Sequence, residues 1–286
     1  MLTPAQAQER AEALVTRARK AGADAADAVY IADASESVSV RLGKLEDVER
    51  SESEHIGLRV FVGRRSATIG SSDLSDAALN ELASRALAMA AGAPEDPYAG
   101  LAPEDLLFRG PYADLDLSDA QEPTPHDLRA AAQEAEDAAR SVEGITNSEG
   151  GGASSGAAVM ALSTSHGFSA AYAGTSRSVS ASVVAGEGAS MQRDYAGRMA
   201  RHSADLLPPA ELGRSAGERA VARLNPGRMK SGPMPVVMDP RVGGSMLGHL
   251  IGAMSGAAIA RRASFLLGRE DVAQTGRRRR RESEVD

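Results

Sequence analysis

The chain has 286 residues, a formal charge of −7, 42% hydrophobic and 25% charged residues, 29 glycines and 3% aromatics. That length accommodates two or three domains and a sizeable core, which must be built from aliphatics and alanine. The acidic balance disfavours a nucleic-acid partner, and the absence of cysteine excludes disulfides, thiolate ligands and a thiol nucleophile.

The N-terminal Met1-Leu-Thr-Pro-Ala-Gln lacks the basic and apolar regions of a signal peptide, so the expectation is a cytoplasmic protein. Residues 3–21 read as an amphipathic helix with Thr3 as cap and Pro4 in the first turn. Its apolar stripe runs Ala7, Ala11, Leu14, Val15, Ala18, and Gly22 is placed to end it. Strand signals follow at Val29 and Ile31, then in the alternating Val38, Val40 and Leu42. Gly43-Lys44 suits a two-residue hairpin turn, with residues 45–50 returning antiparallel. Ile56, Leu58, Val60 and Val62 alternate again, Gly63-Arg64 turns the chain into Ala67–Ile69, and a capped helix runs from Ser75 to a stop at Gly92. Helix, antiparallel strands and helix predict an α+β N-terminal domain over residues 1–95.

Residues 96–125, rich in Pro, Asp and Gly, read as a connecting segment to a middle α+β domain over 126–228. Thr124-Pro125 starts a helix that continues to Val142, with Leu128, Ala131, Ala135, Ala138 and Val142 on one face. The Gly/Ser stretch Ser148–Gly156 then leads into alternating runs at 157–163, 168–172, 178–184 and 191–199, with Ser165-His166-Gly167 as a hairpin turn. Many alternate positions are Ser, Ala or Gly, which predicts antiparallel strands facing something close rather than a thick core. A third helix spans 208–224, and Met234–Met238 reads as a short strand. Asp239-Pro240 then opens a helical segment that includes "GSMLGHLIGAMSGAAIARRASF", Gly244 to Phe265.

Val242 to Ile259 is uncharged and nearly long enough to span a membrane, but five glycines, two serines and a histidine make it too weakly apolar for an isolated span. Gly248, Gly252 and Gly256 repeat at the four-residue spacing that lets helices pack closely. Residues 269–286 set five arginines against five acids from 270 onward and read as a solvated, disordered tail; binding of phosphate or a membrane surface is the alternative.

The chain contains no Walker A loop, no dinucleotide-binding glycine fingerprint, no nucleophile elbow and no EF-hand. Its five histidines, His55, His126, His166, His202 and His249, are never three to five residues apart, which excludes a helical two-histidine zinc motif. Arg193-Asp194-Tyr195 reads as a surface ion pair on a strand rather than a polar cluster in a cleft. Glu134, Glu136, Asp137 and Arg140 read as a solvated helix face, His166 as an exposed hairpin tip, and His249 as a satisfied core histidine. Residue chemistry alone thus gives an α+β protein without a visible catalytic site.

Four strings carry a resemblance: "VRLGKLEDVERSESEHIGLRVFVGRRSATIGSSDLS" (Val40 to Ser75), "HGFSAAYAGTSRSVS" (His166 to Ser180), "MQRDYAGRMAR" (Met191 to Arg201) and "GHLIGAMSGAAIARRASFLL" (Gly248 to Leu267). Over residues 1–268 the chain resembles the TldD/PmbA family, and within it the PmbA (TldE) branch, once described as a modulator of DNA gyrase. The resemblance implies a bacterial cytoplasmic system in which TldD-type and TldE-type chains form a heteromeric metalloprotease that trims a microcin leader and degrades labile peptides, including an antitoxin. TldD-type chains carry a metal helix H-E-x-x-x-H, whose metal polarises the peptide carbonyl and activates water. By this resemblance Gly248 stands at the first ligand, His249 at the glutamate and Ala253 at the second histidine. No catalytic or metal-binding residue carries over; the metal, zinc, is expected in the TldD-type partner, and the substrate-binding residues stay unknown.

Family members continue well beyond this point through a large β-rich C-terminal domain, so residues 229–268 read as an incomplete start of that domain, cut short by frameshift or truncation. The leading expectation is a non-catalytic subunit that pairs with a TldD-type protein or with itself and helps enclose an extended peptide, without nucleic acid or membrane. The alternative is a stand-alone regulator of gyrase or of a toxin–antitoxin pair.

Overall fold

The computed structural model describes residues 1–269, in two compact units, Met1–Pro226 and the stretch from Gly227 onward. The tail expected from 270 on lies outside the described residues.

In the first unit Thr3 opens helix α1 (Pro4–Ala21). Its hydroxyl accepts the Gln6 N–H at 3.3 Å while the Gln6 side chain accepts the Thr3 N–H at 3.0 Å, satisfying donors that a helix start leaves orphaned. Gly22 ends the helix at φ 113°, a conformation open chiefly to glycine. The Ser75 hydroxyl caps α2 (Asp76–Gly92), and a second capping box, Thr124 with Asp127, starts α3 (Pro125–Arg140). Helix α4 (Pro209–Ala222) enters through prolines.

Six strands form one antiparallel sheet. They are β1 (Ala25–Arg41), β2 (Lys44–Val62), β3 (Arg65–Ser71), β4 (Ile145–Thr164), β5 (Ser169–Ala185) and β6 (Gln192–Ala200), in spatial order β3-β2-β1-β4-β5-β6. β1 and β4 lie side by side at the centre, from Asp27 opposite Thr164 to Val40 opposite Gly151. All four helices cover one face, as the period of two dictates: Ala26, Ala28, Tyr30, Ala32, Val38 and Val40 of β1 are all buried.

Two apolar clusters share this sheet. Under α1 and α2, Leu14, Tyr30, Ile56, Leu58 and Leu79 pack with Val159 and Ala161. Under α3 and α4, Leu128, Val179, Val183 and Leu212 pack with Val38 and Val40. Each buried Leu or Ile contributes roughly 1.5–3 kcal/mol. The second cluster is rich in alanine and compensates by close approach of α3 to α4. A Cβ on Gly213 would lie 2.0 Å from the Ala135 carbonyl oxygen, and one on Gly217 would lie 2.7 Å from that of Ala139.

Three local expectations are corrected. The first hairpin turns at Leu42-Gly43 rather than Gly43-Lys44; both residues have positive φ, 51° and 75°, the backbone that matches the twist of a two-residue turn. The Gly/Ser stretch 148–156 lies inside β4 instead of leading into it. Small residues are needed there: a Cβ on Gly151 would fall 2.2 Å from the Ala132 carbonyl oxygen of the helix above. In the second unit Met234–Met238 forms no strand, because no neighbouring segment among the described residues offers it a ladder.

The second unit holds α5 (Pro240–Met254) and the one-turn α6 (Gly256–Ala260). Ala253 is the single buried residue of α5, and a Cβ on Gly248, Gly252 or Gly256 would meet nothing within 4 Å. The close packing expected of that glycine repeat is instead realised by Gly213 and Gly217 of α4.

Candidate functional site

Helix α5 carries the three positions at which a metal helix is expected by resemblance. Gly248 and Ala253 supply no donor atom, and His249 is exposed on the helix surface, so it is not the core histidine that its apolar neighbours predict. The Ala253 carbonyl accepts the Ser264 hydroxyl at 2.6 Å, which ties the following turn to the helix end. A hydrolytic metal needs three or more converging donors. Among the described residues no such group of His, Cys, Asp or Glu exists.

Two other histidines, His166 and His202, work locally. His166, at the β4–β5 turn, donates from Nε2 to the Ala102 carbonyl at 2.8 Å, and its Nδ1 meets the Thr164 hydroxyl at 2.8 Å. That hydroxyl also accepts the Phe168 N–H, so this imidazole–hydroxyl pair locks a hairpin rather than arming a nucleophile. His202 donates to the Asp116 carbonyl at 2.8 Å; that bond, and then the carboxylates of Asp116, Asp119 and Asp205, hold its pKa above the ordinary histidine value.

These two histidines fasten the connecting segment, residues 93–124, as a strap across the sheet margin. Leu117 extends the edge of β5 beyond the end of β6, its carbonyl accepting the Thr175 N–H at 2.9 Å. Asp119 accepts the Ser203 N–H at 2.7 Å and the Gln121 N–H at 2.9 Å, and its carboxyl is pushed down to about 2. Arg177, 4% exposed, lies beneath the strap and donates to the carbonyls of Gly156, Ser176 and Gln121. A polar cleft of about 330 Å³ opens beside it, lined by Glu36, Arg50, Gln121 and Glu122 among others.

Sequence reasoning misplaced two acids. Glu136, read as part of a solvated face, is fully buried: its carboxylate accepts the N–H groups of Leu42 and Gly43 at 2.7 and 2.9 Å and the Ser148 hydroxyl at 2.5 Å. Glu134, Asp137 and Arg140 on the same helix are exposed, as read. The triplet 193–195 is split by the strand period: Arg193 meets Glu149 on the open face at 3.2 Å, while Asp194 is buried on the helix side and pairs with Arg223 at 3.3 Å. The spacing of Glu136 from the buried Ala132 and Ala139 was the available signal for its inward aim.

The sheet face away from the helices is a floor of small residues: Ser35, Ser37 and Ser39 on β1, Ser154 on β4, and Ser176, Ser178, Ser180 and Ser182 on β5. It offers hydroxyls and flat backbone, and the Ser182 hydroxyl donates to the Glu149 carboxylate at 2.7 Å.

Against known sequences, residues 26–90 match the PmbA/TldA metallopeptidase domain 1 and residues 118–224 match the PmbA/TldA metallopeptidase central domain. The chain belongs to the PmbA/TldD family. Metalloprotease PmbA of Escherichia coli O157:H7 is 36% identical over 233 residues, 81% of this chain and 51% of the relative. The PmbA homologue of Haemophilus influenzae is 34% identical over 271 residues, 93% of this chain and 59% of the relative. The chain therefore spans a little over half the length of these curated relatives.

The fold is shared with solved family structures. A Bacteroides thetaiotaomicron protein described as a candidate modulator of DNA gyrase superposes with a TM-score of 0.84 at 24% identity, over 93% of this chain and 61% of that one. TldE of Thermococcus kodakarensis superposes with a TM-score of 0.68 at 19% identity, over 90% and 57%. The α+β architecture with its six-stranded antiparallel sheet is thus that of this PmbA-family protein's structural neighbours. Among its described residues no helix is long and apolar enough to cross a membrane.

Proposed function

We propose that this PmbA-family chain is the non-catalytic subunit of a cytoplasmic TldD/TldE-type metalloprotease acting on peptides of the microcin-leader or antitoxin kind. The reading is supported by the resemblance that sets Gly248, His249 and Ala253 at the metal-helix positions, and by the lack of a group of three or more possible metal ligands among the described residues. Such a chain contributes walls and binding surface, while a TldD-type partner supplies the metal, zinc, and the activated water. The small-residue strands of 157–200 are the surface proposed to line the peptide path, because hydroxyls and flat backbone recognise an extended chain with little sequence demand.

The test is reconstitution. The purified chain alone should hold substoichiometric zinc and leave casein and a leader peptide uncut; mixed with a TldD-type chain it should co-elute and the mixture should cleave. Stoichiometric zinc and casein hydrolysis by the chain alone overturns the reading. Capture of gyrase without any TldD-type chain overturns it in favour of the stand-alone regulator.

A further inference from the structure

Among the described residues the outer edge of β2 is unpaired along most of its length. β3 pairs with β2 only over Ile56–Val62, whereas β1 pairs with it from Lys44 to Phe61. From Leu45 to Glu54 the strand thus has β1 on one side and, among the described residues, no strand on the other, and residues 44–52 are all exposed. Among the described residues no backbone hydrogen bond beyond the β1 ladder engages this stretch. At about 3.4 Å per residue the edge is about 34 Å long, and every second residue turns an unpaired N–H and C=O outward.

Two features decide what fits it. On the helix side Leu45 and Val48 are 45% and 48% exposed although their β1 partners Val40 and Val38 are buried, because α3 covers β1 and stops short of β2. On the open side Asp47 and Glu49 flank the edge, opposite Ser39 and Ser37. Residues 44–55 carry Glu46, Asp47, Glu49, Glu52 and Glu54 against Lys44 and Arg50. Glu52 is paired with Arg50, whereas among the described residues no ion pair engages Asp47 or Glu49. Glu46 is the extra residue of a bulge opposite Ser39 and Val40. The bulge and the charge together reject a second copy of the same edge, since like charges would face each other.

We propose that the Leu45–Glu54 edge of β2 binds an extended basic segment of a partner polypeptide by strand addition. The added strand completes the outward ladder, sets lysine or arginine beside Asp47 and Glu49, and lays apolar or β-branched side chains over Leu45 and Val48. Main-chain bonds supply affinity and the alternate side chains supply choice. This surface is separate from the small-residue strands of 157–200, and binding to the chain alone tests it independently of any protease partner.

The probe is a fluorescent decapeptide alternating lysine and threonine, titrated by anisotropy against the full chain at low salt. A glutamate–threonine decapeptide should bind at least about tenfold more weakly. N-methylation of alternate amides on one edge of the lysine peptide should remove binding, and methylation of the other edge should spare it. Asp47→Lys/Glu49→Lys, both at exposed positions, should weaken the lysine peptide at least about tenfold and leave the unfolding midpoint unchanged. Amide exchange should slow within 45–54 on binding. Affinity indifferent to both methylation patterns means charge attraction alone and overturns the proposal, as does protection appearing elsewhere. Peptide-independent dimers in sedimentation, abolished by the double variant, also overturn it by assigning the edge to a second copy.

Discussion

The Glu136 carboxylate accepts the Gly43 backbone N–H at 2.9 Å, across 93 residues of chain. Through that bond, and the companion bonds from Leu42 and Ser148, helix α3 fixes the tip of the β1–β2 hairpin and the start of β4 at one buried point. Glu136→Ala leaves three donors without an acceptor and should cost about 2–4 kcal/mol of stability. Glu136→Gln keeps an acceptor oxygen and should cost less. Urea denaturation followed by far-UV dichroism measures both; equal, negligible losses would show the buried carboxylate to be dispensable.

Glycine-to-alanine substitutions should change sign between helices. In α4, Gly213→Ala drives a methyl into the Ala135 carbonyl and should destabilise by about 1–3 kcal/mol despite better helix propensity. In α5, Gly248→Ala and Gly252→Ala meet open space and should strengthen the helix locally by about 0.5–1 kcal/mol each. Amide exchange resolves the two sites. A stabilising Gly213→Ala would refute the close approach of α3 to α4.

This contrast marks where sequence reading succeeds. Caps and stops are local, so Thr3-Pro4, Gly22, Ser75 and Thr124-Pro125 announce their helices without any tertiary information. Whether a glycine pair packs or merely faces water depends on what lies opposite, and the four-residue spacing of Gly213 and Gly217 is the same as that of Gly248 and Gly252. The same limit hid Glu136. An acid among acids on a helix reads as solvated until two backbone N–H groups from a distant turn arrive to hold it. The reading of Gly248, His249 and Ala253 as metal-helix positions rests on the resemblance, and residue type alone says that Gly248 and Ala253 carry no side-chain donor atom.

The strap should respond to pH. His202 has its pKa raised above 6.5, so the folded chain holds that proton more tightly than the unfolded one. The resulting stabilisation is complete below 6.5 and is lost as pH rises through the higher folded value. Asp119 runs the other way: lowered from 3.8 to about 2, it stabilises above 3.8 and loses that contribution as pH falls toward 2. Residues 104–115 should therefore resist limited proteolysis best between 3.8 and 6.5 and become easier to cut on the alkaline side. Rates normalised to a reference peptide test this, and His202→Gln should flatten the alkaline limb. A flat wild-type profile would sink the idea.

His249 should be silent in chemistry. With no group of three or more possible ligands among the described residues, His249→Ala should change the peptidase activity of a reconstituted pair by less than about twofold and leave its zinc content unaltered. Loss of either would assign the imidazole a role in the assembled site.

β1 and β4 run unbroken beneath both helix pairs, so each apolar cluster borrows side chains from the other half of the sequence: Val159 and Ala161 serve α1 and α2, while Val38 and Val40 serve α3 and α4. The strands act as shared beams. A nick or an insertion in the middle of β1 severs two cores at once, and a twist imposed on one end of the sheet reaches the other through covalent chain rather than through a hinge. Whatever docks at either end is mechanically in touch with the far end.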